Sequence, residues 1–258
     1  CQAGLECCVV DKRSIATGSS AASTALLQYE IDVPLCQMAE QIGEKNAVTA
    51  YRSCLQSISD IETVLKEAGI NADFEQIPSI FYASDDKGAK LIEREYEIRK
   101  RHELPVELLT KEELHKRYKL ETYAGALLNR RSAQLDAYKA ATELFRYHIE
   151  KDNLRIFTHT EVTSCEEISQ GCRLETKDGQ IIQCKYIIVA TGFEAGRFLP
   201  KKVMKLTSTY ALISHPIDSK DFWKERCLIW ETEEPYIYVR TSGNRIIIGG
   251  EDEDFNDP

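Results

Sequence analysis

The stretch Leu5-Glu6-Cys7-Cys8-Val9-Val10-Asp11 places a short apolar run directly before an acidic residue. A continuous apolar run of this length predicts a buried strand of a parallel sheet, since such strands are covered on both faces. The loop Thr17-Gly18-Ser19-Ser20-Ala21-Ala22-Ser23 follows and holds only small or hydroxyl-bearing residues. An acidic residue at a strand end, before a loop of this kind, indicates part of a βαβ unit.

The rest of the chain alternates between helix and strand patterns. Apolar residues at three- and four-residue steps predict a long helix over residues 45–68, and shorter helices are predicted at 87–101 and 110–118. After residue 136 a helix is followed by short strands, and from residue 209 the pattern is rich in strands. We therefore expect an α/β plus α+β fold, in which a partial Rossmann-like domain is interleaved with a helical and antiparallel-sheet domain.

Composition excludes several classes of protein. The 258 residues carry a formal net charge of −9, with 43% hydrophobic and 29% charged residues. That hydrophobic share is typical of a globular protein and excludes a disordered chain. The acidic balance argues against a nucleic-acid binder, because phosphate contacts need clustered Lys and Arg. No apolar run approaches the roughly 20 residues that span a bilayer, so we expect no transmembrane segment.

The nine cysteines form no CxxC pair, and no histidine follows them at zinc-finger spacing. We interpret them as reduced, mostly buried thiols, which predicts a cytoplasmic protein. The five histidines show no metal spacing either, so no metal site is predicted. No signal peptide is recognised, and the chain begins at Cys1 without an initiator Met, so we expect a piece of a longer protein.

Three segments could bind a nucleotide. Asp11 could accept the two ribose hydroxyls of an adenine nucleotide, although an acidic residue at a strand end is also common on a solvated surface. The loop at residues 18–23 could present backbone N–H groups to a phosphate, or could be a flexible turn. Residues 186–190 predict a buried strand, and the small residues of Ala190-Thr191-Gly192 would allow close approach of a ligand or form a simple turn.

A fourth candidate lies near the end of the chain. Tyr236, Tyr238 and Arg240 alternate along a predicted strand, so their side chains are expected on one face. Arg offers a two-pronged donor and Tyr a hydroxyl, which would suit a carboxylate. An exposed polar sheet face is the alternative interpretation of the same pattern.

Taken in order, these segments resemble the FAD-dependent oxidoreductases of the D-amino-acid oxidase superfamily, which includes glycine oxidase and sarcosine oxidase. The similar stretches are residues 8–12, residues 18–23 followed by 26–28, residues 187–192, and residues 236–240 with 245–250. The resemblance implies FAD as cofactor and an amine or amino acid as small-molecule substrate, oxidised by hydride transfer to the flavin. It implies a substrate-gripping role for Arg240 and Tyr238, with Tyr29 and Gln28 as weaker candidates.

The resemblance also implies a set of cofactor-binding residues: Asp11, Lys12, Ser19, Ser20, Ser23, Gln28, Val162, Ala190, Thr191 and Gly192. With the changes of pattern, it assigns residues 1–25 and 125–204 to a partial FAD-binding domain and residues 26–124 and 205–258 to a substrate domain. The family's GxGxxG turn and closing segment are not in the sequence, so this piece alone is expected to hold no FAD and to be inactive.

Two alternatives stay open at this point. One is a flavin dehydrogenase of a C–OH substrate, glycerol 3-phosphate or a 2-hydroxy acid, for which a phosphate would call for further basic residues. The other is a non-catalytic protein that retains the fold. The sequence does not indicate the electron acceptor.

Overall fold

The computed structural model describes residues 3–152, 154–199 and 205–254. The chain forms two compact units whose segments are interleaved in sequence. The first unit comprises Cys1–Ser23, Ala68–Ala72 and Ala137–Leu206, and the second comprises Thr24–Glu67, Asp73–Asp136 and Thr207–Pro258.

The α-helices are α1 (Ser19–Ala22), α2 (Leu35–Ile42), α3 (Glu44–Glu67), α4 (Asp86–Arg101), α5 (Lys111–Tyr118) and α6 (Ala137–Asp152). The strands are β1 (Cys8–Val10), β2 (Leu26–Leu27), β3 (Glu75–Tyr82), β4 (Glu107–Leu109), β5 (Ala126–Gln134), β6 (Arg155–Phe157), β7 (Val162–Ile168), β8 (Gly171–Thr176), β9 (Ile181–Cys184), β10 (Thr207–Ile213), β11 (Leu228–Glu231), β12 (Ile237–Ser242) and β13 (Arg245–Asp254). Short 3-10 helices lie at Gly192–Arg197, Ser219–Asp221 and Lys224–Arg226.

In the first unit, β1 and β6 form a parallel pair in which Val9 lies opposite Ile156. Strands β7, β8 and β9 form a separate antiparallel sheet. The hairpin predicted at Asp178-Gly179 joins β8 to β9, and Gly179 has a positive φ of 77°. A tight turn between two antiparallel strands favours a glycine with a positive φ.

The second unit is built on an eight-stranded sheet of order β10-β13-β12-β11-β3-β5-β2, with β4 paired to β5. Neighbouring residues of β3 face opposite sides of this sheet. Ile80 packs in a cluster with Leu114 of α5, whereas Phe81 packs in a cluster with Ile92 of α4. The sheet therefore has helices on both faces, and its central strands carry apolar side chains on each. The predicted fold class, α/β plus α+β, is confirmed.

The helices follow the signals that predicted them. Helix α3 buries Ala47, Tyr51, Ile58 and Leu65, the stripe expected from the periodicity. At the start of α5, the Thr110 hydroxyl accepts a hydrogen bond from the Glu113 N–H, while the Glu113 carboxylate accepts one from the Thr110 N–H. This reciprocal capping box fixes where the helix begins.

One strand prediction is wrong in its length, and a second is wrong altogether. The strand predicted over residues 5–11 is confined to Cys8–Val10, and Leu5 is 68% exposed. The strand predicted over residues 186–190 is absent, and Tyr186 and Ile188 are 86% and 89% exposed. The composition of both segments suits a strand, but a strand also needs hydrogen-bonded neighbours. Within the described residues β1 has β6 alone as a neighbour, and no strand lies alongside residues 186–190.

Strand β5, in the middle of the second unit's sheet, was not predicted at all. Its sequence Ala-Leu-Leu-Asn-Arg-Arg-Ser-Ala-Gln neither alternates nor forms a continuous apolar run. Asn129 and Ser132 are fully buried there and hydrogen bond to each other at 2.7 Å. Polar residues at the centre of a strand become compatible with burial once their partners are supplied from elsewhere in the fold.

The interpretation of the cysteines as mostly buried is also wrong. Among the described cysteines, Cys36 and Cys227 are buried, whereas Cys8 and Cys165 are exposed and the others are half-buried. Seven of the described cysteines form no disulfide: Cys8, Cys36, Cys54, Cys165, Cys172, Cys184 and Cys227. Among the residues that the structure describes, every helix is too short or too polar to cross a lipid bilayer.

Candidate functional site

In the first unit, Asp11 lies at the carboxyl end of the parallel strands β1 and β6. Its N–H donates to the Phe157 carbonyl at 2.9 Å, and its own carbonyl accepts from the Thr160 N–H at 2.9 Å. Its carboxylate accepts a hydrogen bond from the Arg13 N–H through Oδ1 at 2.8 Å, while Oδ2 accepts none from the described residues. This carboxyl end is where open parallel sheets bind ligands.

An ion pair joins this strand end to the turn after residue 191. The Lys12 ammonium contacts both carboxylate oxygens of Glu194 at 2.7 Å. Glu194 lies in the 3-10 helix Gly192–Arg197, and Gly192 has a φ of 58°, which favours glycine. The structure therefore brings Lys12 and the Thr191-Gly192 turn together within the first unit.

The remaining candidates of the first unit lie on separate elements. Ser19 and Ser20 are exposed on the short helix α1, and Val162 begins β7 two residues after Thr160. A residue that the sequence analysis missed is Arg13. Its Nη2 atom lies 3.0 Å from the position that a Cβ at Gly18 would occupy, so its guanidinium borders the small-residue loop. A basic residue two positions after Asp11 was the available signal.

In the second unit, Tyr238 and Arg240 of β12 both reach Thr24. The Thr24 hydroxyl donates to the Tyr238 hydroxyl at 3.2 Å, and Arg240 Nε donates to the Thr24 carbonyl. Arg240 Nη1 donates to the Thr241 carbonyl at 2.9 Å and to Gln134 Oε1 at 3.4 Å. The predicted common face of Tyr238 and Arg240 is thus observed. Thr24 and Gln134 were not predicted, because they are distant in sequence and carry no local motif.

The Arg240 guanidinium is buried against neutral acceptors. Arg240 is 6% exposed, and no carboxylate within residues 3–152, 154–199 and 205–254 forms an ion pair with it. Burial lowers the pKa of Arg240, although the negative charge of Asp136 and the Tyr238 hydroxyl act in the opposite direction. A desolvated cation without a bound counter-ion is an environment that favours an incoming anion.

Tyr238 owes its position to a glycine on the neighbouring strand. Gly249 lies directly opposite Tyr238, and a Cβ there would lie 2.2 Å from the Tyr238 hydroxyl oxygen. The phenol ring therefore lies across the bare backbone of β13, a close approach that a larger residue would prevent.

Gln28 and Tyr29 differ in what they can offer. Gln28 Nε2 is buried and donates to no acceptor among the described residues. An amide donor in this state is costly unless a ligand or water accepts its hydrogen bond. Tyr29 is wrong as a substrate-binding candidate, because it is fully buried and its hydroxyl donates to the Pro105 carbonyl at 2.7 Å.

No group of His, Cys, Asp or Glu side chains in the described part of the chain is arranged to hold a metal ion. The polar groups of the two candidate regions are instead carboxylates, hydroxyls, amides, the Lys12 ammonium and the buried Arg240 guanidinium. These are the groups that bind organic ligands bearing hydroxyls, phosphates or carboxylates.

A protein-family model described as "FAD dependent oxidoreductase" (DAO) matches residues 1–258. The chain belongs to the DAO family of FAD-dependent oxidoreductases. The resemblance inferred from the sequence is thereby confirmed. FAD is the cofactor of this DAO family. Each unit, taken by itself, holds a group that fits such a ligand, since among the described residues Asp11 Oδ2 accepts no hydrogen bond and the buried Gln28 Nε2 donates none.

Solved structures support the DAO fold. Glycine oxidase from Geobacillus kaustophilus superposes with a TM-score of 0.75 at 21% identity, over 96% of this chain and 65% of its own. L-proline dehydrogenase from P. horikoshii gives 0.74 at 18% identity, over 96% and 64%. L-amino acid deaminase from Proteus vulgaris gives 0.72 at 15% identity, over 96% and 62%. This DAO chain therefore spans about two thirds of the length of these structures. No curated protein matches the sequence.

Proposed function

We propose that the protein takes part in FAD-dependent oxidation of an amine or amino acid, and that Arg240 and Tyr238 hold the substrate carboxylate. The buried Arg240 guanidinium, which contacts neutral acceptors and forms no ion pair within the described residues, carries this proposal. A carboxylate would supply the missing counter-charge and would accept charge-assisted hydrogen bonds from Arg240. The Tyr238 hydroxyl, held by Thr24, is a further donor on the same strand.

The proposed cofactor contacts follow from the residues at the carboxyl end of β1 and near β2. Asp11 would accept ribose hydroxyls through its unused oxygen, and the buried Gln28 amide would donate to an acceptor on the cofactor. The ammonium of Lys12 is neutralised by Glu194, so Lys12 would act by holding two cofactor-binding segments together. The other proposed contacts are Ser19, Ser20, Ser23, Val162, Ala190, Thr191 and Gly192.

When bound, FAD supplies the hydride acceptor for oxidation of the carbon next to the substrate nitrogen. The protein's own contribution is to orient the substrate and to remove water from around it. Arg240 does this through a guanidinium whose position is fixed by three hydrogen bonds to Thr24, Gln134 and Thr241. A preorganised cation loses little side-chain freedom when the substrate binds.

Of the two alternative substrates, glycerol 3-phosphate has less support from the residues around Arg240 than a 2-hydroxy acid does. A 2-hydroxy acid carries the same carboxylate and would fit Arg240 as well, whereas a phosphate ester favours several cations. Arg240 donates to the backbone carbonyls of Thr24 and Thr241 and to the side-chain amide of Gln134, and all three are neutral groups. We therefore favour a carboxylate substrate over glycerol 3-phosphate. A cytoplasmic location remains a prediction from the sequence.

The test compares two substrates in the full-length, flavin-loaded enzyme, because residues 1–258 alone are expected to hold no FAD. Arg240→Met should raise KM for an amino acid about tenfold to a hundredfold, because a hydrogen bond to a charged group contributes about 1.5–3 kcal/mol and each 1.4 kcal/mol is tenfold. The matching amine without the carboxylate should be affected little. Arg245→Met is the control, since Arg245 lies on β13 and donates to the Ser214 carbonyl. Equal changes for both substrates would contradict the proposed role of Arg240.

A further inference from the structure

Four cysteines from four strands lie near one another in the first unit. Cys172 of β8 lies directly opposite Cys184 of β9. Cys165 of β7 lies opposite Leu174, two residues along β8 from Cys172, so all three thiols share one face of the sheet. Cys8 of β1 is also close enough for its charge to act on Cys184. The chemistry of these thiols has no part in the proposed function.

Cys172 and Cys184 are directly opposed on neighbouring strands, which brings their Cα atoms within reach of a disulfide. Opposite residues of an antiparallel pair have Cα atoms about 4.5–5.5 Å apart. This separation lies inside the range of about 4.4–6.8 Å that a disulfide requires. The residue across from Cys165 is Leu174, so Cys165 has no directly opposed thiol on β8.

Both thiols of the pair are half-buried, so a small reagent can reach them. In the described structure the sulfurs of Cys7 and Cys227 form hydrogen bonds. The thiols of Cys172 and Cys184 form none there, so both side chains can rotate toward each other. Burial and the neighbouring thiols raise the pKa of Cys184. The thiolate is the attacking species in thiol–disulfide exchange, so a raised pKa disfavours Cys184 as the first thiol to react.

We propose that Cys172 and Cys184 are a reversible redox pair that forms a cross-strand disulfide when it meets a low-molecular-weight disulfide. The Cys172 thiolate attacks one sulfur of the oxidant, and the oxidant's S–S bond breaks to release one thiol. The Cys184 thiolate then attacks the Cys172 sulfur and releases the second thiol. Two protein thiols lose two electrons, the oxidant gains them, and the two protons pass to the released thiols.

The disulfide would restrict the start of the segment that follows β9. Cys184 is the last residue of β9, and the chain continues past the exposed Tyr186, Ile188 and Val189 to the Thr191-Gly192 turn. A covalent bond between β8 and β9 would fix the point from which this segment departs. Oxidation would therefore restrict the start of the segment, whatever substrate the protein takes.

The experiment treats the purified protein with oxidised glutathione, blocks the remaining thiols and digests it without reduction for mass spectrometry. We expect a peptide that links Cys172 to Cys184, with no glutathione retained on either, and full recovery of both thiols after dithiothreitol. In Cys184→Ser the second step is blocked, so glutathione should remain attached to Cys172. Cys165→Ser is the matched control on the same face and should behave as the wild type does.

Two results would overturn the proposal. One is the absence of the linked peptide in the wild-type protein, with Cys172 left as a thiol or as a stable glutathione adduct. The other is a link from Cys184 to Cys8 or Cys165 in place of Cys172. Because the wild-type protein alone decides between these outcomes, a folding defect in a serine variant would not obscure the answer.

Discussion

Gly249 shows how one missing side chain can position another. The Tyr238 ring occupies the space above Gly249, and its hydroxyl oxygen, Cζ and Cε2 all lie within 2.8 Å of where a Cβ would be. The contact involves side-chain atoms alone, so the ring would have to move if a methyl group were added. Such a movement would separate the Tyr238 hydroxyl from Thr24.

We predict that Gly249→Ala lowers the free energy of unfolding by about 1–3 kcal/mol, the usual cost of forcing extra volume into a packed site. In a Tyr238→Ala background the same substitution should cost much less, because the obstructing ring is gone. Urea denaturation of the four proteins of this double-mutant cycle measures the difference. An equal cost in both backgrounds would show that the ring does not depend on Gly249.

Between elements, a buried charge cluster joins the helices of the second unit to its sheet. The Arg99 guanidinium of α4 donates to Glu95 at 2.7 Å and to Glu30 at 2.9 Å, and all three residues are buried. Glu95 also accepts the N–H groups of Leu35 and Cys36 at 2.9 Å, at the start of α2. The cluster therefore supplies the carboxylate cap of α2 that its own sequence lacks.

Glu95→Ala should destabilise the protein by about 3–5 kcal/mol, because it removes one partner of a buried ion pair and leaves the Arg99 charge less compensated. The control is Arg94→Ala on the same helix. Arg94 pairs with Glu40 on the exposed surface, so its loss should cost less than about 1 kcal/mol. Denaturation midpoints give both values, and similar losses in the two variants would contradict the role assigned to the cluster.

The same cluster predicts a pH dependence. Burial raises the pKa of the Glu30 carboxyl, and Arg99 only partly opposes this. Since the folded state then favours the protonated form, the stability that Glu30 contributes is full below its unfolded pKa of about 4.3 and is lost as pH rises through the folded-state value. Glutamine cannot titrate, so the unfolding free energy of the wild type relative to Glu30→Gln should fall as pH rises above about 4. Urea titrations between pH 4 and 8 measure it, and a constant or rising difference would contradict the prediction.

Across the whole molecule, the sequence predicted the parts whose signals are local. Helix α3 has its stripe and α5 its capping box, and these specify structure without distant partners. Strand β5 depends instead on contacts such as that of Asn129 with Glu30, which is 99 residues away. Residues 186–190 have the composition of a strand but no neighbouring strand in the described structure.

The candidate site also has features that the local sequence pattern predicted and features that depend on distant residues. Alternation along β12 was enough to place Tyr238 and Arg240 on one face. It could not reveal Thr24, which is 216 residues from Arg240, or that the guanidinium would be buried without an ion pair in the described part of the chain. Burial and long-range contacts are properties of the folded chain, and they turn an alternating pattern into a candidate carboxylate site.

The central claim is that this is a flavin enzyme whose Arg240 binds the substrate carboxylate. The most direct test is to follow the absorbance of the bound flavin under anaerobic conditions. The holoenzyme is titrated with amino acids and, separately, with the corresponding amines that lack a carboxylate. The account predicts loss of the yellow flavin band with at least one amino acid, at a concentration about tenfold to a hundredfold lower than its decarboxylated amine requires. A flavin band that no amino acid diminishes, or one that the amine diminishes equally well, would contradict it.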